Sequence, residues 1–492
     1  MNRRNFMGSV LAATAVLQAR RLMPAFAAGL PDIPARSLTG GATTLRGADI
    51  KDLAASMRGQ VLVAGDAGYD AARRVWNAVY DKRPALIARC ASPSDVMRAV
   101  DFARGHRLLT AVRAGGHSQA GKSTCTGGIV IDVSPMQSVR VDPRSRIARV
   151  EGGALLQHLD RESRPFGLVT TTGTVSHTGA AGLTLGGGLG RVGRRFGLAC
   201  DNLRSVDLVT AGGKLITASQ AQNPDLFWAL RGAGANFGVA TSFEYQLHPM
   251  NPTVLAGILV WPFAVARQVL TFYAEFSASA PDELNLDLFS FNGGDGAAMI
   301  GIEACWSADP ARGERVLKPL RAFGRTTEDS IRAIPYTELQ SSDDESARGG
   351  MRYHNKSGFL TELTPRAIDA LVGSVEAAPP GKVALFIQQA GGAIGRVRPD
   401  DSAFPNRDAR YWLMLVSSWW KAEEDAGRLA ALRAAWRPIE PHTRGFYVNS
   451  MSEDQYQRVA ANYGSHYARL VQLKKKLDPG NQFRLNANVV PG

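Results

Sequence analysis

Two glycine-rich stretches, and the few reactive side chains inside them, hold the chemistry of this chain. The first runs Val112-Arg-Ala-Gly-Gly-His-Ser-Gln-Ala-Gly-Lys-Ser123. From Gly116 to Ser123 it fits G-x-x-x-x-G-K-[ST], the loop that cradles nucleotide phosphates. That loop works because it opens a helix, whose free amides and lysine hold the phosphates. Here Ser123 leads instead into Thr-Cys-Thr-Gly-Gly-Ile-Val-Ile-Asp132, a turn followed by a strand. No crossover helix fits before Asp132, so a nucleotide hydrolase built on Lys122 is the weaker reading. The same segment carries His117, whose imidazole is nucleophilic when neutral.

The second stretch is Gly173-Thr-Val-Ser-His-Thr-Gly-Ala-Ala-Gly-Leu-Thr-Leu-Gly-Gly-Gly-Leu-Gly190. A backbone approaches a pyrophosphate closely only where no Cβ intervenes, so glycine density across two separate turns suits an anionic dinucleotide. A merely flexible loop would leave Leu183, Leu185 and Leu189 exposed. His177, in the same turn, is expected to make a loop hydrogen bond.

Alternating elements must position these turns. Residues 85–89, 108–112 and 128–132 read as strands, with a helix capped by Ser92 running to about residue 105. Short strands follow at 138–141 and 147–150, then a helix at 154–164. Residues 207–210 and 214–217 make a hairpin, 225–231 a short helix and 238–247 a strand. After residue 250 the character changes. Apolar strands at 255–261, 284–291, 298–306, 383–389 and 411–417 alternate with amphipathic helices such as 263–277 and 426–436. One antiparallel sheet covered by helices fits that pattern. Two further helices are expected at 455–463 and 467–477, the second stopped by Asp478-Pro479-Gly480.

With 492 residues the chain exceeds one ordinary core. Its net charge of +13 comes from Lys and Arg scattered along the whole length, which reads as a solvated basic surface and not a nucleic-acid footprint. The first residues, Arg3-Arg4-Asn5-Phe6 followed by apolar residues 7–19 and Ala25-Phe26-Ala27, read as a twin-arginine export signal over 1–27. The expected destination is the periplasm or beyond, with no membrane attachment once the signal is removed. Residues 28–50 read as a linker or loose arm. Four cysteines (Cys90, Cys125, Cys200, Cys305) without CxxC spacing argue against a metal site.

Four motifs occur in order: Arg113-Ala-Gly-Gly-His117-Ser, the 173–190 cluster, Phe196-Gly-Leu-Ala-Cys-Asp-Asn202, and Asp225-Leu-Phe-Trp-Ala-Leu-Arg-Gly-Ala-Gly-Ala-Asn-Phe-Gly-Val239. Together they resemble the berberine bridge enzyme-like group of the vanillyl-alcohol oxidase superfamily. The tail agrees through Tyr463-Gly, Arg469-Leu, Lys474, Asp478-Pro and Asn481-x-Phe-Arg484. The likeness spans roughly residues 60–250 and 445–492, and is looser between.

The resemblance implies an α+β, two-domain fold. A PCMH-type FAD-binding domain would span 51–249 and be completed by 446–492, with a substrate domain of antiparallel sheet plus helices over 250–445. It implies FAD contacts from Arg113, Ala114, Gly115, Gly116, His117, Ser118, Gly121, Gly173, Thr174, Val175, Thr178, Gly179, Gly182, Leu183, Val239 and Asn486. His117 matches the histidine joined to the flavin methyl. Some members carry a second bond from a cysteine near Val175, where this chain has none, so a single attachment through His117 is expected. Thr178 falls at the approximate oxygen gate.

The implied reaction is hydride removal from an alcohol, sugar or secondary-metabolite carbon, with electrons passed to O2. A dehydrogenase using another acceptor and a flavin-carrying binding protein are the alternatives. The family's base system departs here, because Ser450 follows Asn449 where a tyrosine is usual, and Met414 holds the strand position of a Gln or Glu. Tyr447, Asn449 and Tyr411 are therefore the candidate catalytic residues, with Tyr353 and His354 behind them.

Overall fold

The computed structural model describes residues 30–294 and 296–492; the export signal read at 1–27 lies outside them. Three larger sheets organise the described residues. In the first, Leu86–Arg89, Ile129–Asp132 and Thr110–Arg113 run parallel, and Gln60–Val63 joins antiparallel at one edge. Helix Pro93–Gly105 makes the crossover, with the Ser92 side chain accepting from the Asp95 amide at its start. The first glycine turn leaves the carboxyl end of Thr110–Arg113, where open parallel sheets bind ligands. No helix follows Ser123: the chain enters strand Ile129–Asp132, so the phosphate-loop reading is lost.

The second sheet is antiparallel, in the order Leu215–Ser219, Leu203–Thr210, Gly238–Gln246, Ile147–Glu151, Val139–Asp142. The second glycine stretch folds against it as a short helix, Ala180–Leu185, followed by the Gly186–Gly190 turn. Leu185 and Leu189 are buried and Leu183 half-buried in this core.

The third and largest sheet is antiparallel throughout. Its backbone order is Glu328–Asp329, Thr253–Pro262, Ala298–Trp306, Leu284–Asn292, Ala384–Gln389, Tyr411–Trp419, Arg352–Leu360. Successive residues of a strand face opposite sides, and here the two faces belong to different cores. Leu286, Ile302, Ile387, Tyr411 and Leu413 pack under helices Ala266–Ala278, Pro365–Ala377 and Asp425–Trp436. Phe359, Phe386, Trp412 and Met414 pack with the glycine-rich side.

Several sequence expectations change. The stretch read as a loose arm at 28–50 is ordered from residue 30. Ile33–Arg36 pairs with Ala42–Leu45 around the Gly40 turn, and helix Gly47–Ser56 begins directly after. Leu45 and Ile50 bury their side chains in the first core, and Arg36 donates to the Gly127 carbonyl at 2.7 Å. The few apolar residues among Gly, Thr and Ala were enough to dock it. Strand Arg352–Leu360 was not anticipated, because Arg-Tyr-His-Asn-Lys-Ser carries no apolar run. The helix expected at 455–463 divides into a 3-10 segment Glu453–Arg458 and a short α-helix Val459–Tyr463.

The C-terminal segment folds back on the glycine-rich side, where Phe446, Tyr447, Tyr463, Leu470 and Val489 join its core. The fully buried Lys474 donates to Asp478 at 2.7 Å and to the carbonyls of Asn236 and Phe483. Asp478 in turn accepts from the Gln482 and Phe483 amides. Each buried charge is thus fully partnered, the condition for tolerating it away from water. Among the described residues no helix is long and apolar enough to cross a membrane.

Candidate functional site

A deep cleft separates the glycine turns from the large sheet. It encloses roughly 1600 Å³ counted out to its mouth, open solvent included. One wall is backbone. Gly115 and Gly179 meet so closely that a Cβ on Gly115 would lie 2.5 Å from the Gly179 nitrogen. A Cβ on Gly182 or Gly234 would meet nothing and protrude into the cleft. The amides of Gly115, Gly116, His117 and Ser118 have no protein acceptor among the described residues. Successive free amides around Gly116, held at φ +69°, make an anion-binding concavity. These features fit a flat, anionic dinucleotide such as FAD.

His117 lies at one end of this wall. Its ring stacks on Trp76 at 4.4 Å between centroids, and Trp76 stacks on Tyr353 at 3.9 Å. His117 Nε2 stands 3.2 Å from Nδ1 of His177. Burial, and secondarily the His177 ring, push the imidazole of His117 down to about 3, so it is neutral at any physiological pH.

The residues expected to hold the cofactor divide. Ala114, Gly115, Gly116, His117, Ser118, Gly173, Thr174, Val175, Thr178, Gly179, Gly182, Leu183 and Asn486 all line the cleft. Arg113 does not: its guanidinium turns away to the Ala72 carbonyl and Asp132. Gly121 forms the tight turn that follows Ser118 and lies against the Tyr80 ring. Val239 points into the first core, while its neighbours Gly238 and Ala240 reach the cleft.

The candidate catalytic residues also divide. Tyr411 is on the wrong face of its strand, with its hydroxyl paired to Ser277 Oγ at 2.7 Å beneath the helices. A one-residue difference in parity puts Trp412 in the cleft instead. Tyr447 and Asn449 do line it. The Tyr447 hydroxyl accepts from the amides of Gly188 and Leu189 and from Asn449 Nδ2, at 2.8–3.2 Å. Burial pushes this phenol up to about 12, so it stays protonated and anchors the second glycine turn. Tyr353 stacks behind Trp76, away from the cleft lining. Met414 is half-buried against the glycine-side core.

Sequence reasoning missed the sheet-side wall. Gln388 and Trp412 line the cleft from adjacent strands, in register with one another. The indole Nε1 of Trp412 is buried without a protein partner. Behind Gln388 lies the fully buried Asp287, which accepts from Gln388 Nε2, Asn285 Nδ2 and the Gln389 amide at 3.0–3.3 Å. Burial first, then Glu303, raise Asp287 to about 7. Glu303 is itself paired with Arg191, which also bonds Asp343 and the Thr174 carbonyl and so joins the two walls. Only the strand register reveals these contacts.

Residues 84–219 match the FAD binding domain family, and residues 446–490 the family described as berberine and berberine like. The chain is 34% identical to (R)-6-hydroxynicotine oxidase of Paenarthrobacter nicotinovorans over 451 residues, 89% of this chain and 97% of that protein. It is 32% identical to an FAD-linked oxidoreductase of Dictyostelium discoideum, covering 90% and 97%. Among solved structures, 6-hydroxy-D-nicotine oxidase from Arthrobacter nicotinovorans superposes with a TM-score of 0.81 at 32% identity, covering 89% of this chain and 99% of that one. A xylooligosaccharide oxidase from Myceliophthora thermophila, solved with xylobiose, shares the fold at TM-score 0.81 and 23% identity, covering 90% and 99%.

Proposed function

The chain belongs to the FAD-linked oxidoreductases with a berberine-like C-terminal segment, and we propose that it is an exported oxidase with FAD bound covalently through His117 alone. Its substrate is a small molecule oxidised at an alcohol, sugar or secondary-metabolite carbon. The observation that carries this reading is the cleft itself, with free amides and a neutral histidine on one wall and Gln388 and Trp412 on the other. The twin-arginine signal supports export, since that route moves folded proteins already carrying a cofactor.

The Gly115–Ser118 amides would receive the anionic pyrophosphate, and Asn486 and Asn449 would meet the polar edge of the ring system. Bound FAD supplies a two-electron acceptor that takes a hydride from carbon and is reoxidised by O2. The protein orients the substrate. Because the Gln388 amide nitrogen is committed to Asp287, its Oε1 is the atom left to accept from a substrate O–H or N–H. The Trp412 ring borders the same face of the cleft.

One observation favours a second reading of the substrate. Among the cleft-lining residues no carboxylate is present, and the Tyr447 hydroxyl already carries three donors. A neutral amine needs no base to give up a hydride, since its own lone pair drives the loss. A cyclic amine, as the name of the nicotine-oxidising relative suggests, therefore competes with an alcohol.

Anaerobic mixing with a panel of xylobiose, chitobiose, primary alcohols and (R)-6-hydroxynicotine tests the reading. At least one compound is expected to bleach the flavin band, and admitted air to restore it within seconds. Slow return of colour would rule out an oxidase and leave a dehydrogenase. No bleaching by any compound would favour a binding protein.

A further inference from the structure

One row of side chains crosses the large sheet and ends at the cleft. Glu303, Asp287, Gln388 and Trp412 stand directly opposite one another on successive strands, and the last two line the cleft. The row meets one buried cation, Arg191, which bonds Glu303 at 2.6 and 3.0 Å and Asp343 at 2.9 Å. Asp287 itself touches only neutral donors. Its Oδ1 accepts from Asn285 Nδ2 at 3.0 Å and from the Gln389 amide at 3.2 Å, and its Oδ2 from Gln388 Nε2 at 3.3 Å. Tyr273 and Cys305 are close enough to feel its charge, and burial keeps both of them protonated.

An anion this deep is costly when its nearest cation is already matched by two carboxylates, and Asp287 takes up a proton near pH 7. The bonds decide where that proton sits. Oδ1 holds two donors, and one of them is a backbone amide that cannot reverse. The proton therefore goes to Oδ2, facing Gln388, and an O–H there needs an acceptor. The Gln388 side-chain amide supplies one by turning over, because its oxygen and nitrogen occupy nearly the same positions. Its Oε1 then accepts from Asp287, and Nε2 faces the cleft. With Asp287 ionised the amide stands the other way, with Nε2 on Oδ2 and Oε1 toward the cleft.

We propose that Asp287 is a positioning residue that sets the polarity of the substrate site: as a carboxylate it turns the Gln388 carbonyl to the cleft, and as an acid it turns the Gln388 amino group there. The first state recognises a donor, a hydroxyl or amine N–H. The second recognises an acceptor such as a carbonyl oxygen. An alcohol and the carbonyl compound made from it are such a pair, so ionised Asp287 favours substrate over product. One proton is exchanged with solvent, and no bond of substrate or cofactor changes. The assignment rests on reading the sheet wall as the substrate side.

The test uses the full-length protein loaded with FAD and two single-ring probes. Phenol donates and acetophenone only accepts, and neither titrates between about pH 5.5 and about pH 8.5. Perturbation of the flavin band gives their dissociation constants at both pH values. From the acid to the alkaline value, the affinity of wild type for acetophenone relative to phenol is expected to fall about 10-fold, the worth of one hydrogen bond. In Asp287→Asn the Gln389 amide keeps the oxygen at the Oδ1 place, so Nδ2 donates to Gln388 and the ratio stays at the acid value throughout. Gln388→Leu should show no pH dependence. Difference infrared spectra follow the carboxyl itself: wild type should lose more protonated-carboxyl intensity than Asp287→Asn, the remainder belonging to Asp160. A wild-type ratio that does not move with pH overturns the assignment, and so does a shift that persists in Asp287→Asn. If the carboxyl titrates while the ratio stays flat, Asn285 answers the proton in place of Gln388, and the assignment falls. If neither probe disturbs a flavin that a substrate still bleaches, the sheet wall is not the substrate side, and the assignment falls while the oxidase reading stands.

Discussion

The two walls of the cleft are built in opposite ways. The glycine wall is backbone: its shape comes from residues that lack a Cβ, and its polar groups are amides around Gly116. The sheet wall is side chain: Gln388, Trp412 and the buried Asp287 come from three strands and meet only through register. A backbone wall suits a cofactor that is the same in every relative. A side-chain wall can change with one substitution per strand, which suits a variable substrate. Damage to the first wall should cost the cofactor, and damage to the second should cost only recognition.

The largest effect is expected on the backbone wall. In Gly115→Val the new Cβ would fall within 2.6 Å of two Gly179 backbone atoms, and backbone has nowhere to go. Loss of about 3 kcal/mol is expected from overpacking, and with it the flavin. Thermal unfolding and flavin-to-protein ratio measure both; a yellow, stable variant would break the comparison.

Asp287→Asn comes next and acts through pH. Asp287 titrates near 7 in the fold, above the ordinary carboxylate value of about 4. Between those values the native state keeps a proton that the unfolded chain releases, so stability falls as pH rises through that window. Asparagine has no such proton. The variant should match wild type below about pH 4 and gain on it as pH rises to about 7, by on the order of 2–4 kcal/mol. Asp160, which burial also raises to about 7, should leave part of the slope in place. A parallel decline in both proteins would contradict the assignment.

Gln388→Leu is expected to leave flavin content unchanged while raising KM about 3- to 10-fold, the worth of one hydrogen bond. Loss of flavin instead would mean that the sheet wall also holds the cofactor. Smallest is Tyr411→Phe, which removes the buried bond to Ser277. It should cost about 1 kcal/mol of stability and leave turnover untouched, separating Tyr411 from the chemistry.

The same contrast explains what the residues disclosed in advance. Glycines are legible because their use is local: the two turns and His117 could be read where they stand. Parity is not local. Nothing in Tyr411-Trp412 says which ring faces the cleft, and Ala-Leu-Phe-Ile-Gln-Gln389 reads as core strand until its neighbours are known. Residues 341–350 look like a solvated polar loop, although Asp344 holds the second glycine turn across a sequence gap of 168 residues. The arm at 28–50 misled in the other direction, since its sparse Leu45 and Ile50 are enough to dock an otherwise bland segment.

The central claim is a flavin oxidase tethered through one histidine, and the absorbance spectrum of acid-precipitated protein tests it most directly. The account predicts a yellow pellet from wild type and a colourless pellet, with flavin free in the supernatant, from His117→Ala. A colourless wild-type pellet, or a His117→Ala pellet that stays yellow, would contradict it.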